Sequence, residues 1–310
     1  MVTALITHPA CLEHDTGPYH PECPERLEAV LAALEGPAFA SLLRVAAPEA
    51  TAEQLERVHP AEYVSAILAI RPESGDRVQL DADTVMSAGS AEAALRAAGA
   101  AVLAVDMVME NLALAAFAAV RPPGHHAEPA RPMGFCLFNN AAVAALHARA
   151  QWGVQRVAVV DFDVHHGNGT QAMFATDPDL FYASSHQSPC YPGTGDAWER
   201  GVANNVVNTP LRPGEGSAAF RTAWKETILP ELDRFAPGLL IVSAGFDAHK
   251  ADPLAQLRLE TADFAWITAE LVQIAERHCG GRVVSVLEGG YDLDALAASA
   301  AEHVRGLMRV

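Results

Sequence analysis

The stretch RVAVVDFDVHHGNG, residues 156–169, opens on an apolar, β-branched run and closes on Asp, His and Gly. A short run that is apolar on both faces is the signature of a strand buried in a parallel sheet. Four more runs share it: AFAAV (116–120), LFYASS (180–185), GLLIVSAGF (238–246) and RVVSVLEGG (282–290). Between and around them the spacing predicts helices over Pro24 to Leu34, Pro60 to Ile70, Gly89 to Met109, Asn140 to Trp152, Glu215 to Phe235, Ala262 to His278 and Leu293 to Met308. Pro24 and Pro60 sit where proline suits a first helical turn. Strands alternating with helices predict one α/β domain over residues 1–310, a central parallel sheet flanked by helices. An N-terminal segment completes an edge or rim.

The bulk properties fit that reading. The chain has 310 residues, half of them hydrophobic, and a formal charge of 21 − 38 = −17. A nucleic-acid binder needs a basic face, so nucleic acid is not an expected partner. The acidic balance is compatible with a cationic substrate. The longest apolar runs, such as Leu112 to Val120, are nine residues. A membrane-spanning helix needs about 20, so no membrane partner is expected. The N-terminus has no basic segment ahead of an apolar one and does not read as a signal peptide. Five cysteines without a CxxC pair point to a reduced, cytoplasmic protein.

The segments just past the strands carry the chemistry. AFAAV runs into RPPGHHAEP, RVAVVDF into DVHHGNG, GLLIVSAGF into DAHKADP and RVVSVLEGG into YDLD. Ligands of open parallel sheets bind outside the carboxyl ends of the strands, so these loops are expected to form one site.

Strand alternation puts Asp161, Asp163 and His165 on one side. Asp and His are ligands suited to zinc, iron or manganese. A third ligand from another strand end would complete a site with one position left for water. Asp252 is the candidate, with Asp247 and His249 as rivals in the same loop. The tandem His125 and His126 titrate near neutrality and suit proton traffic. Asp161 and Asn168 are candidate partners for the two rings: a carboxylate favours the protonated ring, an amide the neutral one. After Gly289 and Gly290, Tyr291 is free to donate to a substrate oxygen. Taken singly, each motif also reads as polar loop or turn. Jointly they point to water attack on a carbonyl. There is no G-x-S-x-G, P-loop or G-x-G-x-x-G pattern, and covalent catalysis has little support.

HPECPERL (20–27), RPPGHHA (121–127), GFCLFNNAA (134–142), VDFDVHHGNGT (160–170), SSHQSPCYPGTG (184–195), SAGFDAHKADPL (243–254) and LEGGYDL (287–293) resemble, in order, the zinc-dependent histone deacetylase family. The short form looks like its bacterial amidohydrolase and acetylpolyamine aminohydrolase members. Asn168, where many members have Asp, is closer to the class II pattern.

The resemblance implies the arginase–deacetylase fold and one catalytic zinc on Asp163, His165 and Asp252. It implies catalytic roles for His125, His126 and Tyr291, with Asp161 and Asn168 behind the histidines. Phe135 and Tyr191 match the aromatic walls of an acyl-lysine tunnel, Gly134 a substrate-contacting backbone, and Asp83 a rim carboxylate. It also implies one or two potassium ions. Asp161, Asp163, His165, Ser184 and Ser185 match the inner site, and carbonyls of Phe174, Asp177 and Leu180 the outlying one. The implied substrate is an acylated amine: acyl-lysine, acetylpolyamine or a small amide. The family includes monomers and homo-oligomers, and both stay open.

Two other readings compete. A binuclear manganese ureohydrolase of the related arginase fold needs carboxylates for a second metal, and the tandem His and the Gly-Gly-Tyr do not fit it. A non-catalytic acyl-lysine binder has no use for the full set of ligands, histidines and tyrosine.

Overall fold

The computed structural model describes residues 2–309. Among these residues ten strands are present: β1 (Thr3–Thr7), β2 (Leu43–Ala46), β3 (Arg77–Gln79), β4 (Val85–Ser87), β5 (Ala115–Ala118), β6 (Val157–Asp161), β7 (Leu180–Gln187), β8 (Val206–Leu211), β9 (Leu239–Ala244) and β10 (Val283–Leu287). Eight form one parallel sheet in the order β2-β1-β5-β10-β9-β6-β7-β8, and β3 and β4 form a small antiparallel pair. The helices are α1 (Pro24–Ala33), α2 (Ala52–Glu56), α3 (Ala61–Ala69), α4 (Ser90–Met109), α5 (Asn140–Trp152), α6 (Asn168–Phe174), α7 (Ser217–Ala223), α8 (Leu229–Phe235), α9 (Thr261–His278) and α10 (Leu293–Met308). Among the described residues no helix is long and apolar enough to cross a membrane.

The five central strands β5, β10, β9, β6 and β7 are buried along their whole length. Each Val, Leu or Phe placed there contributes about 1.5–3 kcal/mol by leaving water. These same five strands sit side by side, so the loops at their carboxyl ends are neighbours in space. The expected N-terminal edge is β1 and β2, with β1 paired to β5.

Two expectations change. The helix expected over Glu215 to Phe235 is α7 and α8, joined by a π-helical turn at Trp224–Ile228, with Pro230 in the first turn of α8. Strand β6 also stops at Asp161, so strand alternation does not place Asp163 and His165. Instead Asp161 Oδ1 accepts from the Asp163 N–H at 3.0 Å, and Asp163 Oδ1 accepts from the His165 N–H at 2.9 Å. Two successive Asx-type turns bring the three side chains together.

Candidate active site

A cavity of about 220 Å³ opens at the carboxyl ends of the central strands. It is lined by Asp83, His125, His126, Gly134, Phe135, His165, Tyr191 and Tyr291, all expected from the sequence, and by Pro123, Leu254 and Gly289, which were not.

The histidine loop is clamped from beneath. Glu288 is fully buried, and its Oε2 accepts from the Gly124 and His125 N–H groups at 2.7 and 3.1 Å. Ser243 Oγ donates to Oε1 at 3.1 Å. The ring centroids of His125 and His126 are 4.0 Å apart, yet their surroundings differ. His125 Nδ1 lies 2.9 Å from Asp161 Oδ2. Burial opposes its charge, but the carboxylates of Asp163 and Asp161 outweigh burial and raise it to about 10. His126 Nδ1 lies 2.8 Å from Asn168 Oδ1. Burial, then the charges of His125 and His165, push His126 well below its usual value. Asn168 Nδ2 donates to Glu128 Oε1 at 2.9 Å, which fixes the amide and leaves its oxygen for His126. His126 therefore carries its proton on Nδ1 and presents a bare Nε2. Nothing in the sequence singled out Glu128.

Facing the pair, Asp163, His165 and Asp247 each bring one ligand atom within 4.8 Å of the others. Among the described residues this is the one such group. His165 Nδ1 is 3.1 Å from Asp163 Oδ1 and 3.2 Å from Asp247 Oδ2. Donor atoms around one tetrahedral zinc, each at about 2.0–2.1 Å, stand roughly 3.3 Å apart. Asp247 Oδ2 is buried without a hydrogen-bond donor, an orphaned oxygen suited to a cation. Asp252 lies beside this group rather than in it. Its oxygens accept from the Leu254 N–H at 2.9 Å and the Tyr291 N–H at 2.7 Å. Burial and the neighbouring Asp163 raise Asp247 to about 7, and burial, with Asp163 adding to it, raises Asp252 to about 6. Three crowded carboxylates resist ionising together unless a cation joins them. The residues present therefore fit a divalent metal. His249 turns away, accepting from the Ala251 N–H through Nδ1.

The cavity wall is aromatic. Phe135 and Tyr291 meet edge to face at 5.8 Å, Tyr191 stands at 5.1 Å from His126, and His20 packs on Phe135 at 4.8 Å. Phe135 takes φ 68°, rare for a bulky residue, held by its N–H donating to Thr84 Oγ1 at 3.1 Å. Gly134 precedes it at φ 56°, and a Cβ there would lie 2.4 Å from His126 Cδ2. Only glycine lets this loop lie against the His126 ring. Gly289 is needed for a like reason: its N–H donates to Asp163 Oδ2 at 2.9 Å, and a Cβ would lie 2.1 Å from Asp247 Oδ2. Burial holds the Tyr291 phenol well above its usual value, and the Arg26 guanidinium sits 4.8 Å over its ring. Asp83 is half-buried at the rim.

Of the potassium residues, Asp161 is paired with Ser184 across β6 and β7, and Asp161, Asp163, His165, Ser184 and Ser185 are all buried. The carbonyls of Phe174, Asp177 and Leu180 also converge, but on the amide nitrogen of Asn205. All five cysteines are free.

Fold and site together define a hydrolase of the arginase–deacetylase architecture. The histone deacetylase domain matches residues 20–307, and the chain belongs to the histone deacetylase family. It is 41% identical over 312 residues to the histone deacetylase-like amidohydrolase of Pseudomonas aeruginosa, covering 93% of this chain and 81% of that one. It is 38% identical over 300 residues to a probable deacetylase of Archaeoglobus fulgidus, covering 95% and 82%. The crystal structure of the HDA15 HD domain superposes with a TM-score of 0.92 at 36% identity, covering 99% of this chain and 88% of that one.

Proposed function

We propose that this chain is a zinc-dependent amidohydrolase that removes acetyl groups from acyl-lysine side chains, acetylpolyamines or related small amides. The observation that carries the reading is the opposed state of the two histidines at the floor of an aromatic cavity. Asp163 and Asp161 hold His125 charged, while burial and the charges of His125 and His165 hold His126 neutral, with its Nδ1 bonded to Asn168.

Asp163, His165 and Asp252 hold the zinc in this reading. Asp252 is preferred to Asp247 because it is more exposed, 7% against 1%, and its partners Leu254 and Tyr291 line the cavity. Zinc, when bound, polarises a carbonyl and lowers the pKa of water. The chain's own residues do the rest. His126 Nε2 accepts the proton of the attacking water and passes it to the departing amine nitrogen. The His125 imidazolium adds positive charge beside the developing oxyanion, and the Tyr291 phenol, kept protonated by burial, donates to it. Phe135 and Tyr191 enclose the apolar stem of the substrate, and Gly134 and Asp83 meet what lies beyond the mouth. Acylation removes the charge that would make entry into such a wall costly. Potassium fits the inner site formed by Asp161, Asp163, His165, Ser184 and Ser185. The single metal group among the described residues supports one metal rather than the pair a ureohydrolase needs. Free cysteines fit a reducing compartment such as the cytoplasm. The test is a turnover screen of zinc-loaded protein on acetyl-lysine peptides, acetylated polyamines and short amides, with guanidines as the counter-substrate.

A further inference from the structure

Three backbone carbonyls point at one centre in the turn between α6 and β7. The Asn205 Nδ2 stands there, 2.8 Å from Phe174 O, 2.9 Å from Asp177 O and 2.7 Å from Leu180 O. Carbonyl oxygens converging in this way are how proteins replace the hydration shell of potassium. A cation placed in the same cradle would coincide with the amide nitrogen.

The amide has one workable orientation. Turned over, its Oδ1 would face three carbonyl oxygens with no proton between them. As it stands, Oδ1 is buried and has no hydrogen-bond donor, an arrangement that is costly by itself. Two N–H donors are shared among three acceptors. The fold nonetheless builds a seat for this side chain. The Asn205 N–H donates to Val202 O at 3.1 Å, and its carbonyl accepts from the Tyr182 N–H at 2.9 Å. A Cβ on Gly201 would lie 2.3 Å from the orphaned Oδ1, so glycine there makes room for the amide.

We propose that Asn205 is a built-in substitute for a monovalent cation: its amide nitrogen closes the outlying site, and the α6–β7 turn is held without an ion. Of the two potassium sites expected by resemblance, the outlying one is then absent from this protein.

Thallium-soaked crystals of the wild type and of Asn205→Gly test this by anomalous scattering. The expected result is no peak among the three carbonyls in the wild type and a peak there in the variant. A peak in the wild type, with the Asn205 side chain turned aside, overturns the proposal. Absence from both overturns it too, since the carbonyls would then be no cation cradle. If Asn205→Gly does not fold, Asn205→Asp serves. Its carboxylate would meet the three carbonyls unfavourably unless a cation sits between them. Its melting temperature should therefore rise by several degrees more than that of the wild type when potassium chloride replaces choline chloride. Equal rises in the two proteins contradict the proposal.

Discussion

The Nδ1 of His126 stands 2.8 Å from the Oδ1 of Asn168, and this contact sets the tautomer of the proposed base. The amide oxygen fixes the Nδ1–H tautomer, while burial and the charges of His125 and His165 keep the ring neutral and leave Nε2 available. Asn168→Asp puts a carboxylate in its place and favours the protonated ring. The acidic limb of the kcat/KM profile should then move to higher pH by about one unit or more, a shift worth about 1.4 kcal/mol per unit. An unmoved limb would mean that His126 is not the titrating base.

Metal content separates the two rival third ligands. Asp163→Ala should abolish both zinc retention and activity. Asp252→Asn should lose zinc nearly as fully. Asp247→Asn, which keeps the Val164 N–H contact at 2.8 Å within reach, should retain it. Zinc per chain after dialysis against a chelator is the measurement. The reverse order would transfer the role to Asp247, in keeping with its place in the tight donor group.

Tyr291→Phe removes a hydroxyl and keeps the ring between Phe135 and Arg26. Loss of one oxyanion donor typically costs about 10²–10³ in kcat, or roughly 3–4 kcal/mol. KM should change little, the pattern of a contact made in the transition state. A variant with near wild-type kcat would make the phenol a bystander.

The buried neutral histidines should make the fold lose stability on acidification. Burial lowers His14 and His59 to about 4 and His303 to about 3. Unfolded, these rings take up protons near pH 6.5. The unfolded state therefore binds more protons between about pH 4 and 6.5, and stability falls as pH drops through that window. Glu22, held down to about 2 despite burial by Arg121, His14 and Arg26, keeps its contribution until pH falls below about 4.5. Urea midpoints at pH 7.5, 6 and 5 should decline in that order. A flat series would contradict neutral burial of these histidines.

Gly134→Ala tests the close approach of the aromatic loop. The added methyl would meet the His126 ring and must adopt a positive φ. Activity should fall at least tenfold, because displacing either the base or the wall by a fraction of an ångström spoils alignment. Full activity would mean that this loop yields freely.

Much of this site was legible because its residues sit in runs at strand ends. HHGNG follows β6 after Phe162, Asp163 and Val164, and the buried strand before it fixes which end of the sheet those residues occupy. The partners of the two histidines were readable as a pair of candidates, since a carboxylate favours the protonated ring and an amide the neutral one. Glu128, Glu288 and Leu254 were not readable in the same way. Each lies inside one of the quoted runs, but its partner comes from another segment and only the folded chain shows the contact. Strand β2 was missed because it is short and mostly exposed, and β8 because Asn208, Thr209 and Pro210 interrupt its apolar run. The alternation argument placed Asp163 and His165 on the right side, although turns rather than a strand put them there.

Acetate release from a defined acylated amine tests the central claim most directly. Zinc-reconstituted protein, incubated with an acetyl-lysine peptide or an acetylated polyamine, should yield acetate and free amine in equal amounts over many turnovers. One zinc per chain should accompany full activity. Acylated amines that bind without turnover, or guanidines hydrolysed with two manganese ions per chain, would contradict the account.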